Sequence, residues 1–265
     1  MRPRPFANAE PAVASPNQRA DWEGRLIRNR LLLALPDSDF DRLRPLLTFE
    51  RLPHHANLHE AGEELPYVYF PNRGVISLVV VTREGKTVEV AMVGHEGVVG
   101  ASALIGFKRF PFRAVVQIGG DCFKVGVDAL ENVLSNSACL QAELSRYAII
   151  QAMEAEQSAA CNRLHAIEQR LARWLLMMQD RVDYSSLLIT HDFLAAMLGT
   201  DRPSVSLAAS DLQRKGAIEY TRGAIRIANR PMLEDVTCDC YQVIEQFHNY
   251  AAPSVGTEHS ERLNF

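Results

Sequence analysis

Between Thr190 and Gly216 the apolar positions follow two short helical periods separated by a glycine. Phe193, Leu194, Met197 and Leu198 recur at i, i+1, i+4 and i+5. Gly199 follows directly, where a residue tolerant of positive φ ends a helix. Asp201 is placed to cap a second helix, with Pro203 in its first turn, where a missing N–H costs little. Val205, Ala208, Ala209 and Leu212 form a second apolar stripe, while Arg202, Ser204, Gln213, Arg214 and Lys215 stay polar. Two helices, a short turn centred on glycine and a basic second helix predict a DNA-binding helix-turn-helix; an ordinary helical hairpin is the alternative. Ile218 and Tyr220, then Ile225 and Ile227, alternate on either side of Arg222-Gly223. That alternation predicts a β-hairpin "wing" over 217–227.

Upstream the pattern changes twice. Four prolines (Pro3, Pro5, Pro11, Pro16) within residues 1–20 predict a disordered arm. Helical periodicity from Trp22, including 25–27 and 31–35, then leads to a capped short helix over 40–47. From Thr48 to about Val127 the pattern is β. Residues 75–81 read as a buried strand, and 87–93 return with Val88, Val90 and Met92 on one face and Glu89 on the other. Residues 114–118 and 122–125 add further strands. Short strands parted by glycine turns predict an antiparallel jelly roll.

Residues 128–134 read as a short helix, and Ser135-Asn136-Ser137 can cap the next. Residues 138–164 lack Gly and Pro and predict a helix of about seven turns. Its apolar positions are Leu140, Leu144, Tyr147, Ile150, Met153, Ala160 and Leu164. That face can pair with a second copy of the chain, or pack on the chain's own β domain. Another amphipathic helix spans 167–178, and beyond the hairpin lie a helical stretch over 241–250 and a loose one from Pro253. The expected class is α+β: an arm (1–20), a sensor jelly roll (21–136), a dimerisation helix (137–165), a winged helix-turn-helix domain (166–231) and a C-terminal extension (232–265).

Composition changes this picture little. The net charge of −4 does not advertise nucleic-acid binding. Phosphate neutralisation is local, however, and Arg202, Arg214, Lys215, Arg222, Arg226 and Arg230 cluster around the helix-turn-helix and wing. No apolar run approaches the roughly 18 residues that span a bilayer. The N-terminus lacks the apolar core of a signal peptide, so the expected location is the cytoplasm, with no membrane partner. Five scattered cysteines are expected to be reduced thiols.

Rival chemistries are weaker. His54, His55, His59 and Glu60 suggest a cupin-like metalloenzyme, but their spacing is wrong for that motif and solvated loop histidines are the plainer reading. Cys238-Asp239-Cys240 could hold a soft metal or switch with redox state, but it lacks two further ligands nearby in sequence, so packing cysteines are expected. Gly94, Gly97 and Gly100 lie within the β region and form a turn rather than a nucleotide cradle. No enzyme activity, cofactor or metal is expected. A third reading is a protein-interaction module that has lost DNA binding.

Jelly roll, long helix and winged helix-turn-helix, in that order, resemble the Crp/Fnr superfamily of bacterial transcription regulators. The resemblance covers about residues 31–230, and its most specific segments are VEVAMVGHEGVVGASALIG (88–106), RLARWLLMM (170–178) and THDFLAAMLGTDRPSVSLAASDLQRKGAI (190–218). It implies a homodimer on double-stranded DNA, with the second helix of the motif in the major groove, and RNA polymerase as a further partner. Thr190, Asp201, Arg202, Ser204, Ser206, Arg214 and Arg222 are the DNA-contact candidates. Where the family commonly has a glutamate and an arginine reading bases, this chain has Pro203 and Leu207. The effector site departs further. Gly100-Ala101 stands where cyclic-nucleotide binders have Gly-Glu, and Phe112-Arg113-Ala114 where they have Arg-Ser-Ala or Arg-Thr-Ala. A cyclic phosphate needs backbone N–H groups and a guanidinium. Cyclic AMP is therefore not the expected ligand; a small-molecule effector of unspecified identity, or none, remains.

Overall fold

The structure is a computed structural model that describes residues 18–182, 184, 186–221 and 223–251. The expected arm, apart from residues 18–20, and the stretch from Pro253 lie outside the described residues. The periodicity near Trp22 does not become a helix. Asp21 Oδ1 accepts the backbone N–H groups of Glu23 and Arg25 at 3.0 and 2.8 Å, and Gly24 adopts φ 82°. This local side-chain turn competes with helix formation, and Leu26 instead bridges Ala20. Helix α1 (Arg30–Ala34) starts only where Asn29 Oδ1 accepts from Leu32 N. Helix α2 spans Asp37–Leu43, earlier than expected, and closes in a 3-10 turn over Arg44–Leu46.

Five antiparallel strands follow: β1 (Thr48–Leu52), β2 (Asn57–His59), β3 (Tyr67–Val81), β4 (Thr87–Val93) and β5 (Arg113–Gly126). Their order is β1-β5-β3-β4, with β2 also on β5. Register shifts along β3 mark bulges, which bend long strands. One face buries Val68, Phe70, Ile76, Leu78, Phe123 and Val125 beneath helix α3 (Val127–Leu134). The other presents Val75, Val79, Met92 and Ile118 to the C-terminal helices. The shift between Leu78 and Val79 also breaks the alternation of β4. Val90 and Ala91 therefore join the first core while Met92 joins the second, splitting the single face expected for Val88, Val90 and Met92.

Helix α4 runs Ala138–Leu164, with Ser137 Oγ accepting from Leu140 N as its cap. Leu140, Leu144 and Tyr147 enter the first core, so the N-terminal half packs on its own β domain rather than on another copy. Close approach depends on Gly97, where a Cβ would come within 2.1 Å of the Tyr147 hydroxyl. Then come α5 (Ile167–Gln179), β6 (Ser186–Leu187), α6 (His191–Leu198), α7 (Arg202–Arg214), β7 (Ile218–Thr221), β8 (Ala224–Ile227), α8 (Arg230–Val236) and α9 (Cys240–Ala251). The C-terminal half of α4 lies on α9.

Two polar contacts fix the C-terminal helices against the sheet. Trp174 Nε1 donates to Glu89 Oε1 at 2.7 Å, and Ser77 Oγ donates to Glu89 Oε2 at 2.5 Å. The second is an ionic cluster. Arg181 meets Glu96 at 2.8 Å and Glu154 of α4 at 3.4 Å, and His248 of α9 reaches Glu154 at 2.5 Å. The side chains of Arg181, Glu96 and Glu154 are all buried. Burial alone would raise the Glu96 carboxyl, yet Arg181, His248 and the Gly94 N–H together hold it at about 2.

Glu89 behaves in the opposite sense. Burial, its largest influence, pushes its carboxyl up to about 7, against the lowering hydrogen bonds from Ser77 and Trp174. The folded chain thus holds this proton more tightly than the unfolded one. Glu89 contributes stability that is full at low pH and declines as pH rises from ~4.5 to ~7, by at most about 3 kcal/mol. Glu89→Gln keeps the neutral form. Its thermal midpoint should match the wild type near pH 5 and exceed it by several degrees at pH 8; a pH-independent difference would refute this origin.

Candidate nucleic-acid interface

The helix-turn-helix is built by local rules. Thr190 Oγ1 accepts from Phe193 N at 3.2 Å and caps α6. Gly199 ends it at φ 60°, ψ 44°, the left-handed conformation glycine adopts without strain. Asp201 Oδ1 then accepts from Ser204 N at 2.8 Å, and Ser204 Oγ donates to Oδ2 at 3.0 Å. Both carboxylate oxygens are taken, and these bonds hold the Asp201 carboxyl below its usual range. Helix α7 buries Val205, Ala208, Ala209 and Leu212, the stripe expected from the sequence. Beneath them α5 supplies Leu171, Leu175 and Met178.

The face left outward carries Pro203, Leu207, Ser210 and Arg214, spaced i, i+4, i+7 and i+11, with Arg202 at the N-terminal end. Leu207 is 67% exposed, an unusual position for a leucine in a compact domain. Ser210 was not singled out from the sequence. Its hydroxyl donates to the Ser206 carbonyl at 2.8 Å, one turn back. Ser206 Oγ lies 2.9 Å from His191 Nδ1, and the His191 ring stacks on Tyr220 at 4.0 Å. This contact joins α6, α7 and the wing; no sequence pattern announces it, because Tyr220 is 29 positions from His191. Burial, then the Arg202 charge, lower the His191 imidazole.

The basic cluster is smaller than the count suggested. Lys215 pairs with Glu168 at 2.8 Å, Arg226 with Glu219, and Arg230 with Asp180 at 2.8 Å. Arg214 pairs with Asp211 on its own helix. Arg202 faces Asp192 only at 3.5 Å, and both side chains are mostly exposed. The wing forms as expected, with β7 on β8 and Gly223 at φ 83°. A third strand, β6, also pairs with β8. Its two residues are too few to carry a visible alternation. Arg222, the wing candidate, lies outside the described residues.

The effector candidates sit in the β domain. Gly100 begins a 3-10 turn over Ala101–Ile105 at φ 96°. Phe112 lies edge-on to Phe110 at 5.5 Å and packs against the core, where Ala114 is fully buried. Arg113 Nε is spent on Glu60 at 2.8 Å. A cavity of about 1260 Å³ opens elsewhere, between the N-terminal segment, the sheet and the end of α5, with Arg19, His54, His95 and Arg181 in its wall. The metal-ligand candidates do not converge: the His54 and His55 rings lie 3.7 Å apart, but His59 is buried beside Phe110 and Glu60 faces Arg113. The cysteines behave otherwise. Cys161, Cys238 and Cys240 are buried together next to His165.

Residues 169–236 match the family described as the Crp-like helix-turn-helix domain. Sequence comparison with curated proteins finds no match. Among solved structures, a Crp/Fnr-family transcriptional regulator from Eubacterium rectale superposes with a TM-score of 0.63 at 15% identity, covering 79% of this chain and 98% of that one. FixK2 from Bradyrhizobium japonicum gives 0.63 at 19% identity over 72% and 98%. The Crp/Fnr-family regulator TTHA1359 from Thermus thermophilus gives 0.60 at 21% identity over 71% and 97%. The chain therefore has the α+β fold of Crp/Fnr regulators, with an antiparallel β domain before a Crp-like helix-turn-helix. Among the described residues, no helix is long and apolar enough to cross a membrane.

Proposed function

We propose that this chain, with its Crp-like helix-turn-helix domain on a Crp/Fnr fold, is a cytoplasmic transcription regulator that reads double-stranded DNA as a homodimer. The observation that carries the reading is the outward stripe of α7, which the domain core leaves free. Arg202 supplies charge for phosphate or base edges, joined by Arg214 where DNA displaces its Asp211 partner. Ser204 and Ser210, whose hydroxyl protons are given to Asp201 and the Ser206 carbonyl, can still accept, and Ser206 reads only by leaving His191. Leu207 suits a thymine methyl. Thr190 and Asp201 act by capping, since their oxygens are already engaged. With Pro203 and Leu207 in place of two polar readers, the operator differs from the usual one of this family. No observation favours an enzymatic reading.

The dimer face we assign to α4 is the one its own chain leaves open. Ile149 and Leu164 are 62% and 74% exposed, and Met153 and Ala160 share that exposed side. A lysine at Ile149 should therefore convert a sedimenting dimer into a monomer and abolish tight DNA binding, whereas an unchanged dimer would move the interface elsewhere. The Phe112 ring and the Arg113–Glu60 pair argue against cyclic AMP as effector. A different small molecule, or none, would act by shifting the packing of α4 and α5 between two arrangements, through the Trp174–Glu89 contact and the Arg181 cluster. RNA polymerase is the further partner. Capture of DNA bound to the chain in its host cells tests the whole reading. Discrete enriched sites support it, and uniform recovery would favour an interaction module that has lost DNA binding.

A further inference from the structure

We propose that Cys161, His165, Cys238 and Cys240 form a mononuclear site for a thiophilic divalent cation, Zn²⁺ foremost, that clamps the C-terminal extension to the end of the long helix. Their donor atoms all lie within 4.8 Å of one another. Cys161 Sγ is 3.5 Å from Cys238 Sγ, and Cys240 Sγ is 3.5 Å from His165 Nδ1. A tetrahedron with Zn–S of about 2.3 Å and Zn–N of about 2.0 Å has edges of roughly 3.5–3.8 Å. Two edges thus already stand at that length. Three sulfurs and one imidazole suit zinc and are poor ligands for calcium or magnesium.

The surroundings match a metal centre more closely than a cluster of packing thiols. His165 turns Nδ1 toward the sulfurs, while the Asp239 carboxylate lies 3.7 Å from Nε2. At that distance the carboxylate is an ion-pair neighbour of the ring, on the side from which a carboxylate orients a metal-bound histidine once a hydrogen bond forms. Gln157 Nε2 donates to Cys240 Sγ at 3.1 Å, as amides do toward thiolates carrying charge. Three thiolates around Zn²⁺ leave one net negative charge inside the protein. Two buried cations stand by: the Arg173 charge acts on Cys161, and Arg170 is influenced by both Cys161 and Cys238. Among the described residues, the Nε of each arginine finds no hydrogen-bond partner.

The four ligands come as two local pairs, Cys161 with His165 and Cys238 with Cys240, more than seventy positions apart in the chain. Cys161 is in the last turn of α4, and His165 lies two residues before α5 begins. Cys238 sits in the turn after α8, and Cys240 opens α9. Cys238 and Cys240 fall just beyond the residues matched by the helix-turn-helix family. An ion here would fix the α4–α5 junction, which sets how the DNA-reading domain hangs from the dimer helix.

Full-length protein, purified under reducing conditions from zinc-supplied cells, should carry about one zinc per chain. After removal by chelation, Co²⁺ alone should restore a sulfur-to-metal charge-transfer band and the strong visible bands of a tetrahedral site. Cys238→Ser and Cys240→Ser should lose tight metal binding, and Cys139→Ser, outside the cluster, should keep it. His165→Cys should keep it too, with a shifted Co²⁺ spectrum, which guards against loss by misfolding. Wild-type protein with under one-tenth of a metal per chain and no Co²⁺ band would overturn the proposal. So would full metal retention in Cys238→Ser, or a metal-free Cys161–Cys238 disulfide seen by mass spectrometry. Metal content is read without DNA, so its outcome is separate from that of the DNA-binding reading.

Discussion

Arg181→Met is expected to destabilise the folded chain by about 3–5 kcal/mol, the cost of breaking a buried pair from one side. At roughly 2–4 °C per kcal/mol for a chain of this size, the thermal midpoint should fall by about 10 °C. The size follows from what remains. Glu96 and Glu154 would keep their buried positions without the guanidinium that lies 2.8 and 3.4 Å from them. Arg181 Nη1 also donates to the Met177 carbonyl at 2.9 Å, so the end of α5 loses its tie. Removing the stranded charge as well, in Arg181→Met with Glu96→Gln, should recover part of the loss; the shortfall from additivity measures the coupling. The Glu96 carboxyl, held at about 2, adds a pH signature. Its stabilising share is present above ~4.5 and fades as pH falls toward ~2, so the variant should lose least in acid. A midpoint within about 2 °C of the wild type at neutral pH would mean the cluster carries little of the fold.

Arg202→Ala should weaken binding to a two-fold DNA site by about 2–6 kcal/mol, because a loss of roughly 1–3 kcal/mol per base contact enters once for each subunit. If Arg202 instead meets phosphate, the salt dependence of log K should become shallower by about two units per dimer. Anisotropy titrations at several salt concentrations separate the two cases. The exposed Arg202 side chain has one weak partner, Asp192 at 3.5 Å, so the substitution should leave folding unaffected. Unchanged affinity with unchanged salt dependence would remove α7's N-terminus from the interface.

What could be read from the sequence was local. The cap at Asp201, the stop at Gly199 and the stripe from Val205 to Leu212 each depend on residues a few positions apart, and each forms as expected; Thr190, expected only as a DNA contact, proves to cap α6. The same locality misleads near Trp22, where periodicity predicts a helix but the Asp21 carboxylate captures the backbone first. Long-range features left no periodic trace. Ser137 to Leu164 has a helical composition whichever partner covers it, so the burial of Leu140, Leu144 and Tyr147 by the chain's own β domain followed only from the fold. Arg181 and Glu96 are 85 positions apart, and Cys161 and Cys238 are 77. Spacing around Cys238-Asp239-Cys240 suggested a pair without further ligands, and folding supplies Cys161 and His165. The basic cluster erred the other way: four of its six members pair closely with Asp211, Glu168, Glu219 and Asp180, which a count of charges does not show.

Two copies of this chain, each with α7 in a major groove, should leave a distinctive hydroxyl-radical footprint across a captured DNA site. The expected pattern is two protected patches centred about one helical turn apart, roughly 34 Å, symmetric about the site and both lost in Arg202→Ala. A single patch, protection without symmetry, or a footprint that survives Arg202→Ala unchanged would contradict it.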